Sequence, residues 1–109
     1  MHELGITRGV VEAVLDAAGD ARIIRLRLEI GRLSGVVTDS VRFCFELAAE
    51  GTSLAGARLE ITEPGGRAEC RACGREFEVD SVLALCSCGS ANVALIAGQE
   101  LRIKEVEVA

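Results

Sequence analysis

The stretch RIIRLRLEIG, residues 22–31, decides the fold. Ile24, Leu26, Leu28 and Ile30 point one way, while Arg25, Arg27 and Glu29 point the other. Strict alternation of this kind is the mark of a strand with one face buried and one face wet. Such a strand needs an apolar cover, and the segments on either side supply it. Upstream, HELGITRGVVEAVLDAAGD (residues 2–20) places Ile6, Val10, Val14 and Ala18 at a spacing of four, with Val11 and Leu15 beside them. That pattern predicts a helix with one apolar face. Gly5 and Gly9 weaken its start by about 1 kcal/mol each relative to alanine, and Gly19 supplies the stop. Downstream, TDSVRFCFELAAEGT (residues 38–52) predicts a second helix, capped by Thr38 or Asp39 and ended by Gly51. Val41, Cys44, Phe45 and Ala48 share its inner face, which makes Cys44 a small core residue.

Two further alternating runs complete the frame. In ARLEITE (residues 57–63) Leu59 and Ile61 share a face, and Pro64-Gly65-Gly66 then breaks the strand. The chain closes on ELRIKEVEV (residues 100–108), where Leu101 and Ile103 keep one phase and Val106 and Val108 the other. The slip at Lys104-Glu105 predicts a β-bulge, or a strand that changes which of its faces is covered. The order is helix, strand, helix, strand, cysteine-rich insert, strand. The economical packing is an α+β fold with two helices on one face of a three-stranded sheet. The insert, residues 67–96, interrupts a unit made of residues 1–66 and 97–109.

Composition narrows the function. The chain has 109 residues, half of them hydrophobic, with three Phe and no Trp or Tyr, so the core is built from Val, Leu, Ile and Ala. The formal net charge is −5 and the sequence pI about 4.9, which argues against a nucleic-acid partner. No apolar run approaches the roughly 18 residues of a membrane span, and the amino terminus shows no secretory pattern. The expected location is the cytoplasm, with no membrane partner.

Four of the five cysteines lie between positions 70 and 88, in CRACGREFEVDSVLALCSCGS. In a reducing compartment such a cluster reads as metal ligands. Cys70 and Cys73 form C-x-x-C, Cys86 and Cys88 form C-x-C, and a glycine follows each pair at Gly74 and Gly89. Two glycine-ended turns let backbone N–H groups point at thiolate sulfurs and place four sulfurs in a tetrahedron. That set selects structural zinc, with iron as the competitor. A closed set leaves no open position for catalysis. The insert has few large apolar residues, and zinc contributes on the order of 10–16 kcal/mol in small metal peptides, so the metal dominates its folding. The short second knuckle is where unusual geometry is expected. A C-x-x-C redox pair is the alternative reading of this region.

The amino terminus carries a second candidate site. The one histidine of the chain is residue 2. The α-amine of Met1, the amide nitrogen of His2 and its imidazole can close a five- and a six-membered chelate ring on one metal. The amide nitrogen or carboxylate of Glu3 can fill a fourth place. Four such donors in a plane suit Ni(II) or Cu(II). The bland alternatives are an incidental surface histidine and a solvated Glu3 favoured by the helix dipole.

MHELGI at the start, LRLEIGRLSGV followed by SVRFCFELAAEGT, and CRAC through CSCGS to a final ELRIKEVEV resemble the HypA/HybF family of nickel metallochaperones. The resemblance runs nearly end to end. It implies two helices on a three-stranded mixed sheet, with a four-cysteine, zinc-ribbon-like domain inserted before the last strand. It implies a non-enzymatic carrier that binds transported Ni(II) at Met1, His2 and Glu3 and structural Zn(II) at Cys70, Cys73, Cys86 and Cys88. The implied partners are a HypB-type GTPase and the [NiFe]-hydrogenase large-subunit precursor, with urease maturation proteins in some members. The departure is CSCGS, where the family carries C-x-x-C. The competing reading is a zinc-ribbon adaptor that binds proteins and carries no nickel.

Overall fold

The computed structural model describes residues 2–109. Helix α1 (Glu3–Ala18) leads into strand β1 (Ile23–Ile30), helix α2 (Thr38–Ala49) and strand β2 (Arg58–Thr62). Strands β3 (Gly66–Cys70), β4 (Glu76–Val79) and β5 (Val93–Ala97) follow, and β6 (Leu101–Val108) ends the chain. The first sheet has the order β2-β1-β6, with β1 parallel to β2 and antiparallel to β6. The mixed sheet follows from the connections: α2 is the crossover that a parallel neighbour requires, and β6 returns from the insert in the opposite sense. The second sheet is antiparallel, in the order β4-β3-β5.

Both helices lie on one face of β2-β1-β6. The core there joins Val10, Val11 and Val14 of α1 to Ile23, Leu26, Leu28 and Ile30 of β1 and to Val41, Phe45 and Ala49 of α2. Each large aliphatic side chain buried this way contributes about 1.5–3 kcal/mol. Cys44 and Ala48 are half-buried on the inner side of α2. Leu54, in the turn after α2, is fully buried and completes the core. The opposite face of the sheet is charged and self-compensating. Arg25 of β1 faces Glu60 on β2 and Glu105 and Glu107 on β6, Arg27 faces Glu60 and Glu105, and Lys104 pairs with Glu29. Single exposed pairs are worth little. Here basic side chains on the central strand meet acidic ones on both neighbours, so a slipped register would bring like charges together.

Several sequence expectations need correction. Ile24 does not join the buried face: it is 42% exposed, and Ile23 is buried instead. The pairing jumps from Ile23↔Val108 to Arg25↔Glu107, so Ile24 is an extra residue that breaks the alternation. The expected slip in β6 is present, since Arg27 pairs with Glu105 and Leu28 with Ile103, which leaves Lys104 unpaired as the bulge. Neither Thr38 nor Asp39 caps α2. The cap position is Val37, with no side-chain cap bond, and Thr38 is already helical. Gly19 does close α1, with φ 61° and its N–H donating to the Leu15 carbonyl (3.0 Å). The insert carries a three-stranded sheet of its own, which the sequence reading did not foresee.

The two sheets meet through glycine. Gly31 N–H donates to Glu100 O (2.8 Å), Arg32 N–H to Pro64 O (3.0 Å) and Leu33 N–H to Gly98 O (2.7 Å). A Cβ on Gly31 would run into the Gly98 carbonyl and sit 2.8 Å from the Gln99 nitrogen. A Cβ on Gly98, where φ is +102°, would sit 2.6 Å from Gly66 Cα. Gly31→Ala is therefore expected to destabilise the protein by about 2–4 kcal/mol. Gly9→Ala, inside α1 with nothing within 4 Å of the new Cβ, should instead stabilise it by about 0.5–1 kcal/mol. Urea denaturation followed by circular dichroism measures both.

Candidate metal centre

The four clustered cysteines are drawn from two turns beside the second sheet. Cys70 ends β3, and Cys73 lies in the turn to β4, which is closed by Cys70 N–H to Arg75 O (2.8 Å) and Gly74 N–H to Cys70 O (2.8 Å). Cys86 and Cys88 occupy the second turn, closed by Cys86 N–H to Ser90 O (3.0 Å) and Gly89 N–H to Cys86 O (2.9 Å). The closing pairs are 70/75 and 86/90, so the second knuckle is the first with one residue removed. Gly74 and Gly89 take φ of 78° and 95°, and among the described residues no non-glycine residue has positive φ. The C-x-C spacing is thus absorbed without backbone strain. Arg75 Nη1 donates to Ser87 Oγ and ties the two turns together beside the sulfurs.

The geometry fits one tetrahedral ion. All four Sγ atoms lie within 4.8 Å of one another. Two pairs run between the knuckles, Cys70 to Cys88 at 3.7 Å and Cys73 to Cys86 at 3.6 Å. Sulfurs 2.3 Å from a central zinc stand about 3.8 Å apart along a tetrahedral edge. Cys70 and Cys86 are buried and Cys73 and Cys88 exposed, so the cluster sits at the surface of the second sheet. The acidities of the thiols show what a cation would do. Backbone N–H groups of Cys73 and Ala72 bring the Cys70 thiol down to about 6. The Ser90 N–H favours the thiolate of Cys88 too, but the neighbouring Cys86 and Cys70 sulfurs outweigh it and push Cys88 up to about 11. The turn N–H groups thus favour a thiolate at Cys70, while the crowding of sulfurs opposes one at Cys88, an opposition that a positive ion between them would relieve. The other residues of the insert offer no replacement for that ion. Its fully buried side chains are Ala68, Cys70 and Cys86, while Val82, Leu83 and Leu85 are exposed. A structural zinc held by Cys70, Cys73, Cys86 and Cys88 would supply the cross-link that an apolar core supplies elsewhere.

In the first unit, His2 is the N-cap of α1, exposed, with its carbonyl accepting from Ile6 N–H (3.1 Å). Glu3 is the first helical residue. Its carboxylate is not merely solvated: Oε2 accepts from the backbone N–H of Val37 (3.2 Å), which favours the ionised form and holds its pKa below the usual carboxylate range. Its carbonyl accepts from the hydroxyl of Thr7 (2.6 Å), a polar side chain only 1% exposed. The sequence reading missed both partners. Thr7 sits inside an apolar face, and Val37 acts through its backbone, which no residue type announces. Met1, the third expected nickel ligand, lies outside the described residues.

A helix–sheet unit with a histidine at its first helix cap and an inserted four-thiol cluster defines a small metal-handling protein. Residues 1–108 match the family model described as hydrogenase/urease nickel incorporation, metallochaperone, hypA. The chain is 48% identical over 108 residues to the hydrogenase maturation factor HypA of Nostoc sp., covering 99% of this chain and 96% of that one. It is also 48% identical over 109 residues to that of Geobacter metallireducens, covering 99% of each. The solution structure of the Ni metallochaperone HypA from Helicobacter pylori aligns with TM-score 0.71 at 25% identity, over 99% of this chain and 97% of that one. The chain belongs to the HypA family of non-catalytic nickel metallochaperones. That membership sets aside the adaptor without nickel. No helix among the described residues is long and apolar enough to cross a membrane.

Metal removal tests the sulfur centre. Native mass spectrometry should find one zinc per chain. A strong chelator or Cys73→Ala should remove it and abolish amide-exchange protection in β3, β4 and β5 while β1 and both helices stay protected. Acid should act in the same direction, because the thiols must lose protons to bind the metal.

Proposed function

We propose that this chain carries Ni(II) on a chelate formed by Met1, His2 and Glu3 and surrenders it to the precursor of the [NiFe]-hydrogenase large subunit. In this reading residues 1–66 and 97–109 form the nickel unit, and zinc held by the four cysteines shapes residues 67–96. A HypB-type GTPase is the proposed partner in loading or release, and maturing urease is a second proposed recipient.

The observation that carries the reading is the place of His2. The only imidazole of the chain caps a helix whose first turn begins at Glu3. The leading N–H groups of a helix have no acceptor within it, so the amide nitrogens of His2 and Glu3 are free to ionise against a metal. Charge decides how. A helix amino terminus carries about half a positive charge and disfavours a bare cation. Two ionised amides cancel the charge of Ni(II), and the planar, nitrogen-rich set they complete suits that ion. The site is exposed, so an incoming ligand can attack the metal stepwise. Protonation of the imidazole and the α-amine competes with nickel, so affinity falls as the pH falls.

The test is a two-residue extension ahead of Met1. It should abolish nickel binding and leave the zinc in place, as should His2→Ala, with both metals counted by native mass spectrometry. Full nickel affinity in the extended protein would sink the terminal-chelate reading.

A further inference from the structure

We propose that the Glu3 carboxylate is a positioning group, which ties the nickel-binding terminus to the Val37 backbone N–H and so sets where His2 presents its donors. The proposal rests on the terminal-chelate reading and adds to it a contact that the metal does not make.

Glu3 is gripped from two sides. Its carboxylate accepts from Val37, 34 positions away in the chain, and its carbonyl accepts from the buried Thr7 hydroxyl. The Val37 amide is itself well placed to act as an anchor. It is the cap position of α2, at the end of a segment fixed at its other end by bonds from Gly31, Arg32 and Leu33 to Glu100, Pro64 and Gly98. Within that segment Val36 N–H donates to Ser34 Oγ (3.2 Å). One anchor therefore connects the first turn of α1 to the start of α2 and, through residues 31–33, to the glycine junction.

A chelate built on a chain end needs such an anchor. Terminal residues fray unless tied down, and every orientation lost on binding subtracts from affinity unless it was lost beforehand. With Glu3 held at both its backbone and its side chain, the His2 amide and ring start from one fixed residue. A carboxylate that turned away to bind the metal would release α2 from α1 at this point and leave the first turn held only within its own helix, by the Thr7 hydroxyl and the Ile6 N–H.

Three variants of the zinc-loaded, untagged, full-length protein separate the roles. Glu3→Gln keeps an acceptor oxygen for Val37 but removes the anionic donor. Glu3→Ala removes both. Val37→Pro deletes the N–H at a residue whose φ of −85° lies close to the range of a proline ring. In nickel titrations Glu3→Gln should stay within about threefold of the parent, while Glu3→Ala and Val37→Pro each weaken binding about tenfold. The Glu3→Ala/Val37→Pro double variant should be no weaker than the weaker single one. The nickel absorption spectrum should be unchanged in all of them. Without nickel, the Val37 amide resonance should move in Glu3→Ala and stay near its place in Glu3→Gln. Equal losses in Glu3→Gln and Glu3→Ala with an altered nickel spectrum would make the carboxylate a ligand and overturn the proposal. Parent-like affinity in Glu3→Ala would overturn it too. If Val37→Pro unfolds α2, the two Glu3 variants and the amide resonance decide the matter alone. Absence of nickel binding by the parent itself would be a failure of the terminal-chelate reading instead.

Discussion

Three stretches of main chain touch where there is no room for a side chain, and the arrangement of the molecule depends on that contact. Gly31 is where β1 leaves the first sheet, Gly66 is where β3 begins the second, and Gly98 is the turn between β5 and β6. Leu33, nearly buried, lies against Gly66, and a Cβ there would come within 2.9 Å of Leu33 Cγ and 2.8 Å of the Val79 carbonyl. Hydrogen bonds from residues 31–33 to Pro64, Gly98 and Glu100 complete the joint. The Glu100 carboxylate also accepts from its own N–H and, at 2.6 Å, from that of Gly98, contacts that hold its pKa below the usual carboxylate range and brace the left-handed turn. The two sheets are therefore placed by backbone geometry and not by an apolar interface. The molecule is correspondingly long, 53 Å on its major axis, with a radius of gyration of 17.1 Å against about 13 Å for a compact chain of this length.

The two sides of that joint are stabilised by different physics. On one side, eleven buried residues from both helices, β1 and the turn after α2 form one contiguous core. On the other, the buried side chains are those of one alanine and two cysteines. A sheet with so little apolar area to bury cannot offset the cost of ordering its own backbone. Four convergent sulfurs at the spacing of a tetrahedral ion supply what is missing. Loss of a metal bound there would for that reason also be loss of the second sheet, while the core of the first unit involves none of the four clustered cysteines.

Much of this was legible in the sequence, for reasons that also explain the failures. Period-two and period-four patterns located α1, β1, α2 and β2, because those elements bury one face, fully or in part, against a common core; β6 keeps a readable pattern although Leu101, Ile103 and Val108 are exposed and Val106 alone packs partly on that core. Even the Lys104 bulge was visible, as the slip between Ile103 and Val106. The second sheet was not, since β3, β4 and β5 are only four or five residues long, and β3, its central strand, buries only glycine, alanine and cysteine, so that the alternation of EFEV and the apolar run VALIA had no large buried partner to mark them as strands. Ile24 misled because an extra residue at a strand end keeps its apolar character while losing its face. The cap of α2 misled because Thr38 and Asp39 are good capping residues, yet Glu3 from α1 reaches the Val37 amide instead. The glycines of the joint look like any others in the sequence, and only the fold shows which of them face another backbone. At the metal centre the cysteines and His2 announced themselves by residue type, whereas Thr7 and Val37 could be found only in three dimensions.

The two proposed metal sites differ in the properties that keep their ions apart. Intrinsic affinity separates nickel from zinc only modestly for most donor sets, so discrimination has to come from donor type and geometry. The sulfur cluster is a closed tetrahedron of soft donors, two of them buried, with turn N–H groups aimed at the sulfurs. An ion there has no free position through which a partner could begin ligand exchange. The proposed terminal set would be nitrogen-rich, and His2 is exposed, so the set would suit nickel and stay open to an incoming ligand. Two such sites in separate units, joined by a glycine-lined main-chain contact, would allow one ion to be permanent and the other transient within a chain of 109 residues.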